Sequence, residues 1–79
     1  MTKLLSMPIY NRLYAQMRLK GFSVGTLAQK AHMGYESMRV KLLGERGFSL
    51  EEAIRIKQAL AFQGTLEMLF EQNGGREET

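Results

Sequence analysis

The chain has no cysteine, no aspartate and a single histidine, His32. The lack of cysteine excludes disulfides and thiolate metal sites. One histidine without cysteine or aspartate also cannot supply the ligands of a structural zinc site. A Ser-His-acid triad would need His32 itself, in a predicted turn, with a glutamate to orient it. We therefore expect no catalytic residue, no metal, no cofactor and no enzymatic activity.

Long apolar runs are also missing. No run approaches the roughly 18 residues of a membrane span, and the first ten residues lack the apolar segment and cleavage site of a signal peptide. We expect no membrane contact and a cytoplasmic location, which the absence of cysteine fits. The 79 residues leave room for one domain over 1–79. It should be ordered from about 7 to 73, with 74–79 as a mobile tail.

Charge is unevenly distributed along the chain. Residues 1–50 carry eight Lys or Arg against two Glu, a net charge of +6, whereas residues 51–79 carry three against six, a net charge of −3. A polyanion would therefore meet the first half of the chain. A solvated surface with chance asymmetry is the alternative interpretation.

Hydrophobic spacing predicts an all-α fold, because no stretch alternates with period two for long enough to form a strand. The predicted helices span about 8–20, 24–31, 35–43, 50–61 and 66–72. Pro8 suits the first helical turn, and Ser49 with Glu52 has the spacing of a capping box. Thr65 is placed to cap the last helix. In the fourth helix we expect Leu50 and Ile54 on the inner side.

Residues 23–44 organise the rest of the chain. Ser23 is placed to cap the helix that begins at Val24, and residues 32–34 read as a tight turn before the next helix. Two short helices joined in this way form the helix-turn-helix layout, whose second helix can lie in a DNA major groove.

Several stretches follow the pattern of one family. They are Gly21-Phe22-Ser23 leading into Leu27-Ala28-Gln29-Lys30-Ala31, then Lys41-Leu42-Leu43-Gly44, and Phe48-Ser49-Leu50-Glu51-Glu52-Ala53. Over about residues 8–70 the chain resembles the DNA-binding domains of the lambda repressor/Cro type, and looks closest to small phage or mobile-element regulators. The resemblance implies a compact five-helix domain with a helix-turn-helix at about 23–44. It also implies a sequence-specific transcriptional regulator that binds double-stranded DNA.

The chain departs from the family pattern in three respects. The family often has glycine in the turn, where this chain has His32, and glutamine at the start of the second helix, where it has Val24. Many members pair an Arg with a Glu at the positions of Met17 and Leu42. Both partners are apolar here, a replacement that packed hydrophobic side chains can make without loss of stability.

The outer face of the third helix carries the residues expected to read bases. These candidates are Tyr35, Glu36, Ser37, Arg39 and Val40. Arg39 suits a bidentate contact with guanine, with a plain phosphate contact or a solvated charge as the alternatives. Val40 suits a thymine methyl group, and a partly buried core position is equally open.

Phosphate contacts are expected from the backbone amide near Val24 and from Lys30, Lys41 and Arg46. We expect a homodimer through about residues 62–72, with half-sites about 34 Å apart. The alternative function is a protein-interaction module, antitoxin-like or regulator-binding. A contiguous apolar patch of Tyr35, Val40 and Leu43 would favour it.

Overall fold

A computed structural model describes residues 9–72, which form five helices and no strand. The helices are α1 (Asn11–Lys20), α2 (Val24–Lys30), α3 (Tyr35–Leu42), α4 (Leu50–Leu60) and α5 (Leu66–Leu69). The expected all-α class with five helices is thereby confirmed. Some predicted features lie outside the described residues. They are the placement of Pro8 in the first helical turn, the order expected at residues 7, 8 and 73, and the mobile tail 74–79.

Side-chain caps set the start of three helices. The hydroxyl oxygens of Ser23, Ser49 and Thr65 each accept a hydrogen bond of 3.1 Å from a backbone amide in the first turn. Glu52 completes a capping box, because its Oε1 accepts from the Ser49 amide at 2.9 Å. All three caps were predicted from sequence, and each is worth about 1 kcal/mol.

The start of α1 and the end of α5 differ from their predicted positions, and both lie beside a cluster of three aromatic rings. Helix α1 begins at Asn11 rather than near Pro8, since Tyr10 has non-helical dihedrals (φ −104°, ψ 83°) and is buried. The Tyr10 ring lies 5.6 Å from Phe48 and 5.9 Å from Phe70 between centroids. Helix α5 ends at Leu69 rather than near Gln72, because Phe70 leaves the helix to complete this cluster.

One hydrophobic core joins the five helices. Its fully buried large side chains are Leu13, Leu27, Met38, Leu42, Ile56, Leu60 and Leu69. The inner face of α4 differs from the prediction, because Leu50 is 68% exposed and Ile54 39%, whereas Ile56 is fully buried. Ala53, Ile56 and Leu60 share the packed face, so α4 is rotated about its axis relative to the expectation.

Among residues 9–72, two non-glycine residues adopt left-handed backbone conformations. They are His32 (φ 60°), in the turn after α2, and Ala61 (φ 54°), at the C-cap of α4. A side chain in this region costs roughly 1 kcal/mol, whereas glycine adopts it freely.

Ala61→Gly should raise the free energy of unfolding by about 0.5–1 kcal/mol, because glycine relieves the strain at this C-cap. The matched control is Ala59→Gly, inside α4, which should lower the same quantity by about 1 kcal/mol through loss of helix propensity. Urea unfolding of both variants measures the difference. Equal destabilisation by the two changes would contradict the account.

Candidate nucleic-acid interface

The turn between α2 and α3 is closed by hydrogen bonds. The Met33 amide donates to the Ala28 carbonyl at 2.8 Å, and the intervening His32 takes the left-handed conformation. From α4, Arg55 Nε donates to the Ala31 carbonyl at 2.7 Å. Histidine thus fills the position where glycine is common in the resembled family, and α4 holds the end of α2 in place. The direction in which α3 leaves the turn is thereby fixed.

Helix α3 buries one face and exposes the other. Met38 and Leu42 are in the core, while Tyr35 is 57% exposed and Glu36 and Arg39 are also exposed. Among the other base-reading candidates, Ser37 and Val40 are half-buried. The outer face therefore combines an aromatic ring, an ion pair, a hydroxyl and a branched apolar side chain.

Arg39 and Glu36 form a bidentate pair on this face. Arg39 Nη2 lies 2.6 Å from Glu36 Oε2, and Nε lies 3.1 Å from Oε1. The hydrogen bond from Arg39 holds the pKa of Glu36 below its ordinary value, and the same bond raises the pKa of Arg39. Both groups are charged at neutral pH. The Arg39 fork therefore already holds a bidentate acceptor, the geometry in which an arginine can also contact the O6 and N7 atoms of a guanine.

A notch of about 450 Å³ joins the outer face of α3 to the following loop. It is lined by Glu36, Ser37, Val40, Glu45 and Arg46. Three base-reading candidates thus meet one phosphate candidate, Arg46. Glu45 was missed by the sequence reasoning, and its only signal was its place beside Arg46 in the loop.

The remaining phosphate candidates lie elsewhere. Lys41 Nζ contacts both carboxylate oxygens of Glu52, at 2.7 and 2.8 Å, and the two side chains are only 14% and 18% exposed. Lys41 therefore ties α3 to α4, and its phosphate contact stays a prediction. Lys30 lines a different cleft, beside Arg55. Val24 begins α2 with its side chain packed against the core, and its backbone contact stays a prediction.

The apolar patch that would favour protein binding is interrupted. Tyr35 is 57% and Leu43 44% exposed. Arg39 stands between them, because residues four apart share one row on a helix. The charged pair with Glu36 therefore divides the exposed apolar surface of this face.

Comparison with protein-family models, curated proteins and solved structures finds no match to this chain. Within residues 9–72, no three His, Asp or Glu side chains come together in a way that would hold a metal ion. None of the helices described there combines the length and the apolar character that crossing a bilayer requires.

Proposed function

We propose that this protein is a sequence-specific transcriptional regulator of the lambda repressor/Cro type, from a phage or mobile element, which places α3 in the major groove of double-stranded DNA. The observation that carries the proposal is the notch where Ser37 and Val40 meet Arg46. The notch places two side chains that can contact base edges beside a cation that can contact a phosphate, and a DNA interface needs both kinds of contact. The charge of +6 in residues 1–50 supports the same assignment.

Each side chain has a role that follows from its chemistry. Arg39 would exchange Glu36 for the O6 and N7 atoms of guanine, Ser37 would hydrogen-bond a base edge, and Val40 would contact a thymine methyl group. Tyr35 would contact a thymine methyl group or a phosphate. Arg46 would contact a phosphate and fix the register of α3 on the duplex.

Salt-dependent binding to duplex DNA tests the proposal. Fluorescence anisotropy with a labelled duplex should show binding that weakens steeply between about 50 mM and about 200 mM salt, as phosphate contacts release counterions. Circular dichroism on the same samples establishes that the protein is folded. Folded protein that shows no binding at the lower salt concentration would refute the proposal.

Glu36→Gln should strengthen binding to an arbitrary duplex by about threefold to tenfold, because it removes a negative charge and releases Arg39. Glu45→Gln is the matched control, since it removes the same charge from the same notch without a hydrogen bond to Arg39. Anisotropy titration of both variants measures the difference. If the two variants gain affinity equally, the gain comes from net charge alone, and the hydrogen bond to Glu36 does not keep Arg39 from contacting DNA.

We also propose a homodimer that uses the apolar groove between the start of α4 and α5. The groove measures about 400 Å³, and its lining includes Leu50, Leu66 and Phe70. Leu50 is 68% exposed and its neighbour on the same face, Ile54, 39%. A second copy covering this surface would bury both side chains and place two α3 helices on one duplex.

Leu50→Arg should shift the protein towards the monomer by at least about tenfold in the dissociation constant, since a charge would replace a buried apolar contact. Leu19→Arg is the matched control, because Leu19 is 74% exposed on α1 and lies outside the groove. Sedimentation equilibrium of the wild type and both variants decides the matter. A dimer unaffected by Leu50→Arg, or a wild type that is monomeric, would rule out this interface.

A further inference from the structure

A second cationic cleft lies apart from the notch beside α3. Its volume is about 540 Å³, and it is lined by Lys30, His32, Arg55, Gln58 and Ala59. It shares no lining residue with the notch. The cleft is formed where the end of α2 and the following turn meet the middle of α4.

Arg55 is the fixed element of this cleft. Its Nε donates to the Ala31 carbonyl at 2.7 Å, and its Nη1 lies 3.1 Å from Glu51 Oε2. These contacts hold the guanidinium plane, and within residues 9–72 its Nη2 has no protein partner. Glu51 offsets part of the positive charge, but its side chain is 82% exposed and it does not line the cleft.

Three other polar groups surround this guanidinium. Lys30, His32 and Gln58 are all exposed and border the same space. His32, which has the left-handed backbone conformation, lines the cleft from the turn after α2. Lys, Arg, His and a side-chain amide together offer the donors that recognise a phosphate group.

We propose that this cleft binds the phosphate group of a small phosphorylated molecule. Arg55 and Lys30 contact the phosphate oxygens, and His32 and Gln58 add donors from the two sides. The cleft falls within the usual size of small-molecule sites. The site gives Lys30 a ligand other than the DNA backbone, and it does not depend on whether α3 reads DNA.

Titration of the ¹⁵N-labelled full chain with inorganic phosphate and with adenosine monophosphate tests the site. Sodium chloride holds the ionic strength constant, and amide chemical shifts report the location of binding. The expected result is saturable shifts centred on residues 30–32, 55 and 58–59 with both probes, and a rise in melting temperature with probe concentration.

Two variants and a control make the result specific. Lys30→Gln removes a cation, and His32→Asn removes the imidazole while keeping a residue that tolerates the left-handed conformation. The double variant that carries both substitutions should bind phosphate at least about fivefold more weakly, as expected for loss of a charged contact. Arg18→Gln, on the exposed surface of α1 and outside the cleft, should leave it unchanged.

The DNA backbone is the other source of phosphate, and a duplex titration separates the two. Unchanged duplex affinity in His32→Asn supports a separate site. Shifts that do not saturate, shifts centred elsewhere, or equal weakening by Arg18→Gln would overturn the proposal. Loss of duplex affinity in His32→Asn without saturable phosphate binding would assign the cleft to DNA and overturn it as well.

Discussion

Glu52→Ala is expected to lower the free energy of unfolding by about 2–3 kcal/mol, the larger effect of the two glutamates in α4. The change removes the capping interaction with the Ser49 amide, worth about 1 kcal/mol. It also leaves Lys41 without its partner in a half-buried position, which costs about 1–2 kcal/mol more. Both contacts meet at one carboxylate, 2.9 Å from the Ser49 amide and 2.7 Å from Lys41 Nζ.

The neighbouring residue supplies the control for this prediction. Glu51 is 82% exposed and pairs with Arg55 one turn further along α4. Glu51→Ala should therefore cost no more than about 0.5 kcal/mol, as exposed pairs of this spacing do. Urea unfolding at pH 7 compares the two variants. Equal losses would show that the contact between Lys41 and Glu52 contributes nothing beyond an ordinary surface pair.

Acid titration gives an independent view of the same contact. The hydrogen bond from Lys41, followed by that from the Ser49 amide, lowers the pKa of Glu52. Because the folded state binds this proton less readily than the unfolded state, the contribution is present above the unfolded pKa of about 4.3. It is lost as the pH falls through the lower folded value. Glu52→Gln should flatten the fall in stability below about pH 4.5. Glu36, whose pKa is also lowered but which is exposed, should contribute less, so Glu36→Gln is the comparison.

Arg46→Glu should reduce affinity for duplex DNA by about tenfold to a hundredfold. The substitution removes the proposed phosphate contact and sets a carboxylate against the DNA backbone, beside the face of α3 that we propose enters the groove. The slope of log affinity against log salt should fall by about one. Because Arg46 is exposed in the loop after α3, its replacement should leave the unfolding free energy nearly unchanged.

Arg18→Glu is the matched control, because it makes the same change of net charge on the exposed surface of α1. It should alter affinity by less than about threefold, since it acts only through the screened long-range field. Anisotropy at one salt concentration suffices for the comparison. Equal losses in both variants would mean that DNA responds to net charge and that Arg46 has no special place in the interface.

Local signals in the sequence predicted much of the fold because they act over a few residues. Ser23, Ser49 and Thr65 cap the helices that were expected to follow them. The ends of α1 and α5 were missed, because they depend on rings that are far apart in the chain, Tyr10 and Phe70. The spacing of apolar residues within a helix does not indicate a contact between residues that are distant in the sequence.

In the candidate site too, contacts within one helix could be predicted from the sequence and contacts between helices could not. The pair of Glu36 and Arg39 has a spacing of three on one helix, so its proximity was readable from sequence. Lys41 instead pairs with Glu52, a contact between two helices that spacing within one helix could not indicate. The sequence also did not predict the rotation of α4 that exposes Leu50. Apolar residues occur on more than one side of that helix, so the pattern did not identify the buried face.

Selection from a pool of random duplexes tests the central claim most directly. The wild-type protein should enrich one sequence, a palindrome whose half-sites are about 34 Å apart, one helical turn. Arg39→Gln should lose preference at a single guanine in each half-site while binding of unrelated duplexes changes little. If folded wild-type protein enriches nothing above the starting pool, α3 does not read DNA and the proposed function is wrong.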